Sequence, residues 1–334
     1  MKKNENARVR CIGLTIETRP DYGLLNDGNH MLKLGATRAE IGIQSVYDDV
    51  LELVKRGHDN KATKESIAIL KDLGFKINGH YMLGLPGSSK ERDLAGLKEL
   101  FSNPDYKPDM LKIYPCLVMP GTPLYEDWKA GSYKEMKAED AVEVIAEFKR
   151  IVPGYCRIMR IQRDIPTNIT AARLGSTNLR QYVNEYMKNK GWKCRCIRCR
   201  EAGRANKIES VDIYVDEYMA SNGKEFFISI EDKSNDVILG FCRLRFPARQ
   251  LRQEISDKTA IIRELHVYGK MAGIGKAGEI QHKGLGNRLL RKAEEIAIDD
   301  GKDKMLIISG VGVREYYRKY GYELDGCYMS RKIS

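Results

Sequence analysis

The hydrophobic rhythm of the chain changes once, and that change limits what it can fold into. Up to about residue 166, strand-like runs (Cys11–Glu17, Glu40–Ser45, Ile77–Leu85, Met110–Leu117, Arg157–Gln162) alternate with helix-period segments (Val46–Val54, Thr63–Leu73, Glu91–Phe101, Ala138–Val152). Alternation at this spacing predicts βαβ units and a parallel sheet of the barrel type. From Glu209 the pattern becomes antiparallel, with strands at Ser210–Tyr218, Glu225–Glu231, Val237–Arg245 and Thr259–Tyr268 separated by polar turns. An amphipathic helix at Gly286–Asp299, a strand at Lys304–Ser309, a short helix at Val313–Tyr320 and a last strand near Glu323–Arg331 complete it. The expected units are 1–166, a basic connector at 167–208, and an α+β domain at 209–334.

In a parallel barrel the working residues sit where strands end. Those positions hold Glu17-Thr-Arg-Pro-Asp21, Gln44-Ser45, Gly84-Leu-Pro-Gly87 and Met119-Pro-Gly-Thr-Pro123, which suit a ligand mouth as well as ordinary strand exits. Five strands are found where a closed barrel wants eight. An incomplete barrel or an absent N-terminal portion would account for this, and absence is the expectation.

Charge points to a polyanionic partner. Lys and Arg number 57 against 46 Asp and Glu, a net +11. Between Lys188 and Lys207 lie eight basic residues and one acid, Glu201. A second basic strip, Arg157-Ile-Met-Arg160-Ile-Gln-Arg163, alternates with apolar residues. No apolar stretch approaches the ~18 residues of a membrane span, and no secretory leader is visible, so a cytoplasmic protein is expected.

Cys194-Arg-Cys196-Ile-Arg-Cys199 places three soft ligands within six residues. Structural zinc is the first reading, with a free or redox-active cluster and an iron–sulfur centre as alternatives. A fourth ligand is open among Cys116, Cys156, His30 and water. No histidines form a close pair.

Gln281-His-Lys-Gly284-Leu-Gly286 matches the pyrophosphate loop of GNAT acyltransferases. Its amides and the following helix N-terminus suit a coenzyme A phosphate. Tyr316, Tyr317, Tyr320 and Tyr322 follow where that fold protonates a departing thiolate, and one of Tyr316 and Tyr317 is expected to pack instead.

Longer strings resemble one family. Cys11-Ile-Gly-Leu-Thr-Ile-Glu-Thr-Arg-Pro-Asp21, Glu40-Ile-Gly-Ile-Gln-Ser45, Arg160-Ile-Gln-Arg-Asp-Ile-Pro166, Arg263-Glu-Leu-His-Val-Tyr-Gly269 and Ile308-Ser-Gly-Val-Gly-Val-Arg314 are similar to the catalytic subunit of the Elongator complex in its stand-alone archaeal form. The resemblance covers essentially the whole chain. It implies a radical-SAM barrel joined to a GNAT acetyltransferase-like domain, carboxymethylating C5 of the tRNA wobble uridine with acetyl-CoA and S-adenosylmethionine. It further implies acetyl-CoA contacts at Glu264, Leu265, His266 and Val267, at Gly284, Leu285, Gly286, Asn287 and Arg288, and at Tyr317, the acid. Cys194, Cys196 and Cys199 would bind zinc. Arg160, Arg163, Lys193, Arg195, Arg198 and Arg200 would face the anticodon region of tRNA, and no other Elongator subunit would be needed in a stand-alone form. One departure stands out: no cysteine triad for a [4Fe–4S] cluster precedes Cys11, so the chain is expected to lack the radical step. Competing readings are a protein lysine acetyltransferase, with Glu264 as the base, and a coenzyme-gated tRNA-binding module.

Overall fold

A computed structural model describes residues 2–162, 178–204, 208–268 and 284–334. The first half runs α1 (Lys2–Glu5), β1 (Thr15–Thr18), α2 (Leu25–Leu34), β2 (Arg38–Gln44), α3 (Asp48–Leu53), α4 (Asn60–Asp72) and β3 (Lys76–Leu83). It continues through α5 (Lys90–Ser102), β4 (Met110–Pro115), α6 (Pro123–Lys129), α7 (Ala138–Ile151) and β5 (Arg157–Arg160). The five strands form one parallel sheet in chain order.

Side chains on successive strand positions point to opposite faces. Ala39, Ile41 and Ile43 on β2, Ile77 and Tyr81 on β3, and Leu111 and Ile113 on β4 are buried in the core with Ile67 and Leu70 of α4 and Leu97 and Leu100 of α5. The opposite face of the same strands is polar, carrying Glu17, Glu40, Asn78, His80 and Lys112. A parallel sheet with helices on one face and charges on the other is built to hold something on the charged face.

Then come α8 (Leu179–Asn189) and α9 (Ile197–Arg200), followed by β6 (Asp212–Ala220), β7 (Gly223–Asp232), β8 (Val237–Phe246) and β9 (Thr259–Val267). The chain ends with α10 (Leu285–Asp299), β10 (Lys304–Ile307), α11 (Arg314–Arg318), β11 (Glu323–Asp325) and β12 (Tyr328–Lys332). The second sheet has the order β11-β12-β10-β9-β8-β7-β6 and is antiparallel except for β9 with β10. Where one last strand is expected, the chain makes a hairpin of β11 and β12 around Gly326, whose φ is +57°.

The strands β7 and β8 are buried on both faces. Phe226, Ile228, Ile230, Cys242 and Leu244 pack with Leu289, Leu290 and Ala293 of α10. Phe227 and Phe241 belong instead to the core of the first half, as do Ile261 and Leu306. The two sheets therefore share a core, and charges run through it. Arg263 grips Asp109 in a bidentate pair at 2.6 and 2.7 Å and reaches Glu225 at 2.8 Å. Arg245 joins Glu225 at 2.9 Å to Asp72 at 2.5 Å, Lys71 lies 3.3 Å from Glu225, and Arg243 donates to Glu264 at 2.9 Å. Four cations thus face four carboxylates across the boundary.

Candidate functional sites

The second sheet opens where β9 leaves β10. Their pairing ends at Ile262 and Ile307, with one further bond from the Ile308 amide to the Ile262 carbonyl, whereas β9 stays paired with β8 to Val267. Along Glu264–Val267 the edge turned toward β10 is therefore not part of a ladder. A bulge at Arg263 marks the point of departure, since Arg243 pairs with Glu264 and Leu244 with Ile262. Bulges of this kind end pairing and re-aim side chains beside active sites. The exposed edge presents peptide groups to an extended amide-containing ligand.

The helix α10 begins beside this edge. Gly284 is its N-cap at φ +69°, a conformation that suits glycine. The amides of Leu285, Gly286 and Asn287 precede the first intrahelical bond, which runs from Arg288 N to Gly284 O. A β-carbon on Gly286 would meet Tyr316 Oη at 2.5 Å and Val267 Cγ2 at 3.9 Å. The strand edge, the helix start and α11 therefore converge at one glycine. Gln281, His282 and Lys283 of the expected loop lie outside the described residues.

The neighbouring tyrosines differ. Tyr317 is buried in the core with Cys242 and Met305, and burial first, then Cys242, Tyr316 and Glu264, pushes its phenol well above the usual range. It stays protonated at any physiological pH and keeps its O–H to donate. Tyr316 is half-buried and faces Gly286. Glu264 is committed to Arg243: burial alone would raise its carboxyl, but Arg243 and Lys76 outweigh it and hold the group below its ordinary value. His266 lies exposed between Phe241 at 5.8 Å and Tyr268 at 4.5 Å.

The second constellation is the polar face of the first sheet, of which the sequence reading took only the strand ends. Glu40 accepts from His80 Nε2 at 2.8 Å, from Asn78 at 3.1 Å and from Lys112, while His80 Nδ1 lies 3.6 Å from Glu17. Burial alone would raise the Glu40 carboxyl, but the His80 and Lys112 hydrogen bonds hold it to about 2. Toward the end of β2, Gly42 leaves room for Arg56, whose Nη2 lies 3.0 Å from where a β-carbon would be and whose Nε is buried without a hydrogen-bond partner. The Gly84–Gly87 turn lines a separate cavity of about 540 Å³ with Lys90, Tyr133 and Lys134.

Glu40 also sets a pH dependence. Its folded value lies below the ordinary 4.5, so its contribution is complete above about pH 4.5 and is lost as pH falls toward 2. Urea midpoints at pH 6 and pH 3 should show the Glu40→Gln variant losing less than the parent, by on the order of 2 kcal/mol. Equal losses would remove the assignment.

The third constellation is the cysteine trio. The Sγ atoms of Cys194, Cys196 and Cys199 all lie within 4.8 Å of one another. Hydrogen bonds from Cys194 and Cys199 hold the Cys196 thiol well below its ordinary range. Cys116 belongs to a separate cluster with Val50 and Leu85, and His30 lines a groove with Arg252. Cys156 is buried close by, its carbonyl accepting from Ile197, yet its thiol does not join the trio. Among the described residues the trio has three protein ligands.

The expected RNA contacts divide. Arg160, Lys193 and Arg195 are exposed. Arg198 is half-buried and donates to the Met159 carbonyl. Arg200 is a correction: it is buried, 3.0 Å from Glu231, and donates to the carbonyls of Arg195 and Gly154. It braces the cysteine loop against β7 and is turned away from solvent. Arg163 lies outside the described residues.

Comparison with known proteins gives the family. Residues 1–97 match the Radical SAM superfamily, 108–189 the Radical_SAM C-terminal domain, and 192–322 the Acetyltransferase (GNAT) family. The fold is thus a radical-SAM α/β sheet joined to a GNAT acetyltransferase domain. The tRNA uridine(34) acetyltransferase of Methanocaldococcus jannaschii is 49% identical over 99% of this chain and 63% of its own length. The Elongator complex protein 3 of Saccharomyces cerevisiae is 43% identical over 99% of this chain and 61% of its own. A solved Methanocaldococcus infernus Elp3 with an N-terminal deletion (1–46) superposes with a TM-score of 0.95 at 47% identity, covering 99% of this chain and 80% of that one. The chain belongs to the Elp3 family. It spans less than two thirds of the length of the curated relatives it matches. No helix among the described residues is long and apolar enough to cross a membrane.

Proposed function

We propose that this chain is the acetyl-CoA-binding and substrate-facing part of an enzyme that modifies C5 of the tRNA wobble uridine, with acetyl-CoA as the source of the carboxymethyl group. The observation that carries the reading is the splayed edge of β9 beside the α10 N-terminus. The peptide groups of Glu264–Val267 would pair with the pantetheine amides. The first-turn amides Leu285–Asn287 would take the pyrophosphate, with Arg288 at the rim. Relatives named tRNA uridine(34) acetyltransferase and Elongator complex protein 3 support the substrate. Arg160, Lys193 and Arg195 offer tRNA phosphate an exposed basic margin.

Water and bulk ions have little access to Tyr317, and its neutral phenol would donate a proton to the thiolate as the thioester opens. Tyr317→Phe should lower thioester cleavage about 10²-fold while acetyl-CoA affinity changes little. If Tyr316→Phe causes that loss and Tyr317→Phe does not, the acid is the half-buried neighbour.

The polar face of the first sheet fits S-adenosylmethionine. Arg56, with its orphaned buried Nε, would meet the carboxylate, and Glu17 beside Glu40 would meet the ammonium. When bound, that cofactor supplies radical chemistry. Among the described residues no trio of cysteines lies on this face and the one trio is on the connector, so the residues of this face do not fit an iron–sulfur cluster. Zinc fits the connector trio, where it would close the loop around Cys196.

The lysine acetyltransferase reading loses support because Glu264, its base, is ion-paired and held below its ordinary pKa. The deciding experiment is free-thiol release from acetyl-CoA by this chain and by a form extended at its N-terminus, each with and without tRNA. Release that depends on tRNA supports the reading. Release driven by a lysine peptide instead would overturn it, and tRNA binding without any release would leave a binding module.

A further inference from the structure

Gly310 and Gly312 are glycines for a reason outside the coenzyme site. A β-carbon on Gly310 would lie 2.0 Å from the Ile12 carbonyl oxygen. One on Gly312 would lie 2.6 Å from the Arg10 β-carbon and 2.8 Å from the Cys11 carbonyl oxygen. The Gly312 amide donates to that same oxygen at 2.9 Å. Residues 10–13 therefore cross the loop before α11 backbone against backbone, an approach only glycine permits. Their side chains turn outward, and Ile12 is 73% exposed. Contact is made by the main chain, not by apolar packing.

A second tie lies at the head of the segment. Glu5 is buried, accepts from Arg314 at 3.2 Å and pairs also with Arg318. These two arginines open and close α11, the helix of Tyr316 and Tyr317. Asn4 accepts from the Cys11 amide at 3.1 Å and folds the segment on itself. At its other end the segment runs into β1, which carries Glu17.

A helix of five residues has little stability of its own. Its position must come from what holds it, and one flank is held by Glu5 and by the crossing at Gly310–Gly312. We propose that residues 4–13 form a positioning strap for the tyrosine helix of the acetyl-CoA site, with Glu5 and the Cys11 carbonyl as its anchor points. The proposal rests on the reading that α11 borders the coenzyme. The strap ties the acyl end of that site to the strand bearing Glu17, a contiguous chain of contacts between the two halves.

The test uses the whole chain with Glu5→Gln and Gly312→Val. Three quantities are read: acetyl-CoA affinity by calorimetry, tRNA-dependent thiol release, and amide hydrogen exchange. In both variants exchange at residues 313–318 should accelerate at least about tenfold while β7 and β8 stay protected. The kcat of thiol release should fall about tenfold with KM for acetyl-CoA nearly unchanged. Glu5→Asp, which keeps the charge, should recover part of the loss. Wild-type exchange at 313–318 in both variants would overturn the strap. So would exchange rising evenly over the chain with activity following the folded fraction. If the parent protein binds no acetyl-CoA, the coenzyme reading fails, and the exchange pattern alone still decides whether the strap holds α11.

Discussion

Asp109→Ala is expected to be the most damaging single change in the chain, costing about 3–5 kcal/mol in urea unfolding. The side chain is fully buried. It meets Arg263 through both oxygens, has Lys71 at 3.7 Å and Arg243 at 3.6 Å, and accepts from the Ile77 amide at 2.8 Å. Burial alone would raise its carboxyl, but Arg263, Lys71 and Arg243 overcome that and hold it far below the usual range. Alanine would leave four buried cations facing three carboxylates and one orphaned amide. The penalty is that of uncompensated charge, so removing both partners should cost less than the single changes imply. In a double-mutant cycle with Arg263→Met, the coupling should be about 2 kcal/mol or more. The network joins α4 and the residue before β4 to β7, β8 and β9, so both halves should unfold in one transition. Two transitions, only one of them moved by Asp109→Ala, would show that the charges do not weld the halves.

This network also shows where the sequence stops being legible. Arg243-Leu-Arg245 alternates polar with apolar, as a strand with one wet face does. The pattern gave the strands correctly but could not say that the polar face meets a second sheet. The same blindness produced the error at Arg200: a run of basic residues looks uniformly solvated, whereas Glu231 of β7 lies opposite this one. Of the helices absent from the sequence pattern, two have local reasons. Asn26-Asp-Gly-Asn29 looks like a turn, yet α2 forms because Gly28 lets it settle against α4, where a β-carbon would lie 2.6 Å from Leu73. Pro-Gly-Thr-Pro123 also looks like a turn, but Thr122 caps α6 and Pro123 occupies its first turn, where its missing N–H does no harm. The polar face is legible in the sequence. Arg38-Ala-Glu40-Ile-Gly42-Ile-Gln44 alternates strictly, and a charged face on a parallel strand signals a ligand. A local motif marks the α10 start, because amide geometry at a helix start is set by a few residues, whereas Glu264–Val267 is pointed to only by the family resemblance.

The cysteine trio carries the other large expected effect. Cys196→Ser should reduce bound zinc from about one equivalent to near none after refolding in zinc and desalting. Cys196 is fully buried and belongs to the core with Ile158 and Ile197, while Cys194 is half-buried and Cys199 exposed. With three thiolates and no fourth protein ligand among the described residues, losing one leaves two, too few for a tetrahedral ion to stay bound. The site ties the start of α9 to the residue before β5, where the Cys156 carbonyl accepts from the Ile197 amide. Without metal, three thiols crowd one another, Cys196 already drawing hydrogen bonds from both neighbours, and a buried hydroxyl replaces one of them. Hydrogen exchange should therefore rise at residues 194–201 and at the α8–α7 contact, while the second sheet keeps its protection. Chelating the metal from the parent protein should reproduce the same footprint. A Cys196→Ser protein that retains full zinc, or a parent that refolds with none, would dismiss the trio as a metal site and leave it a cluster of reduced thiols.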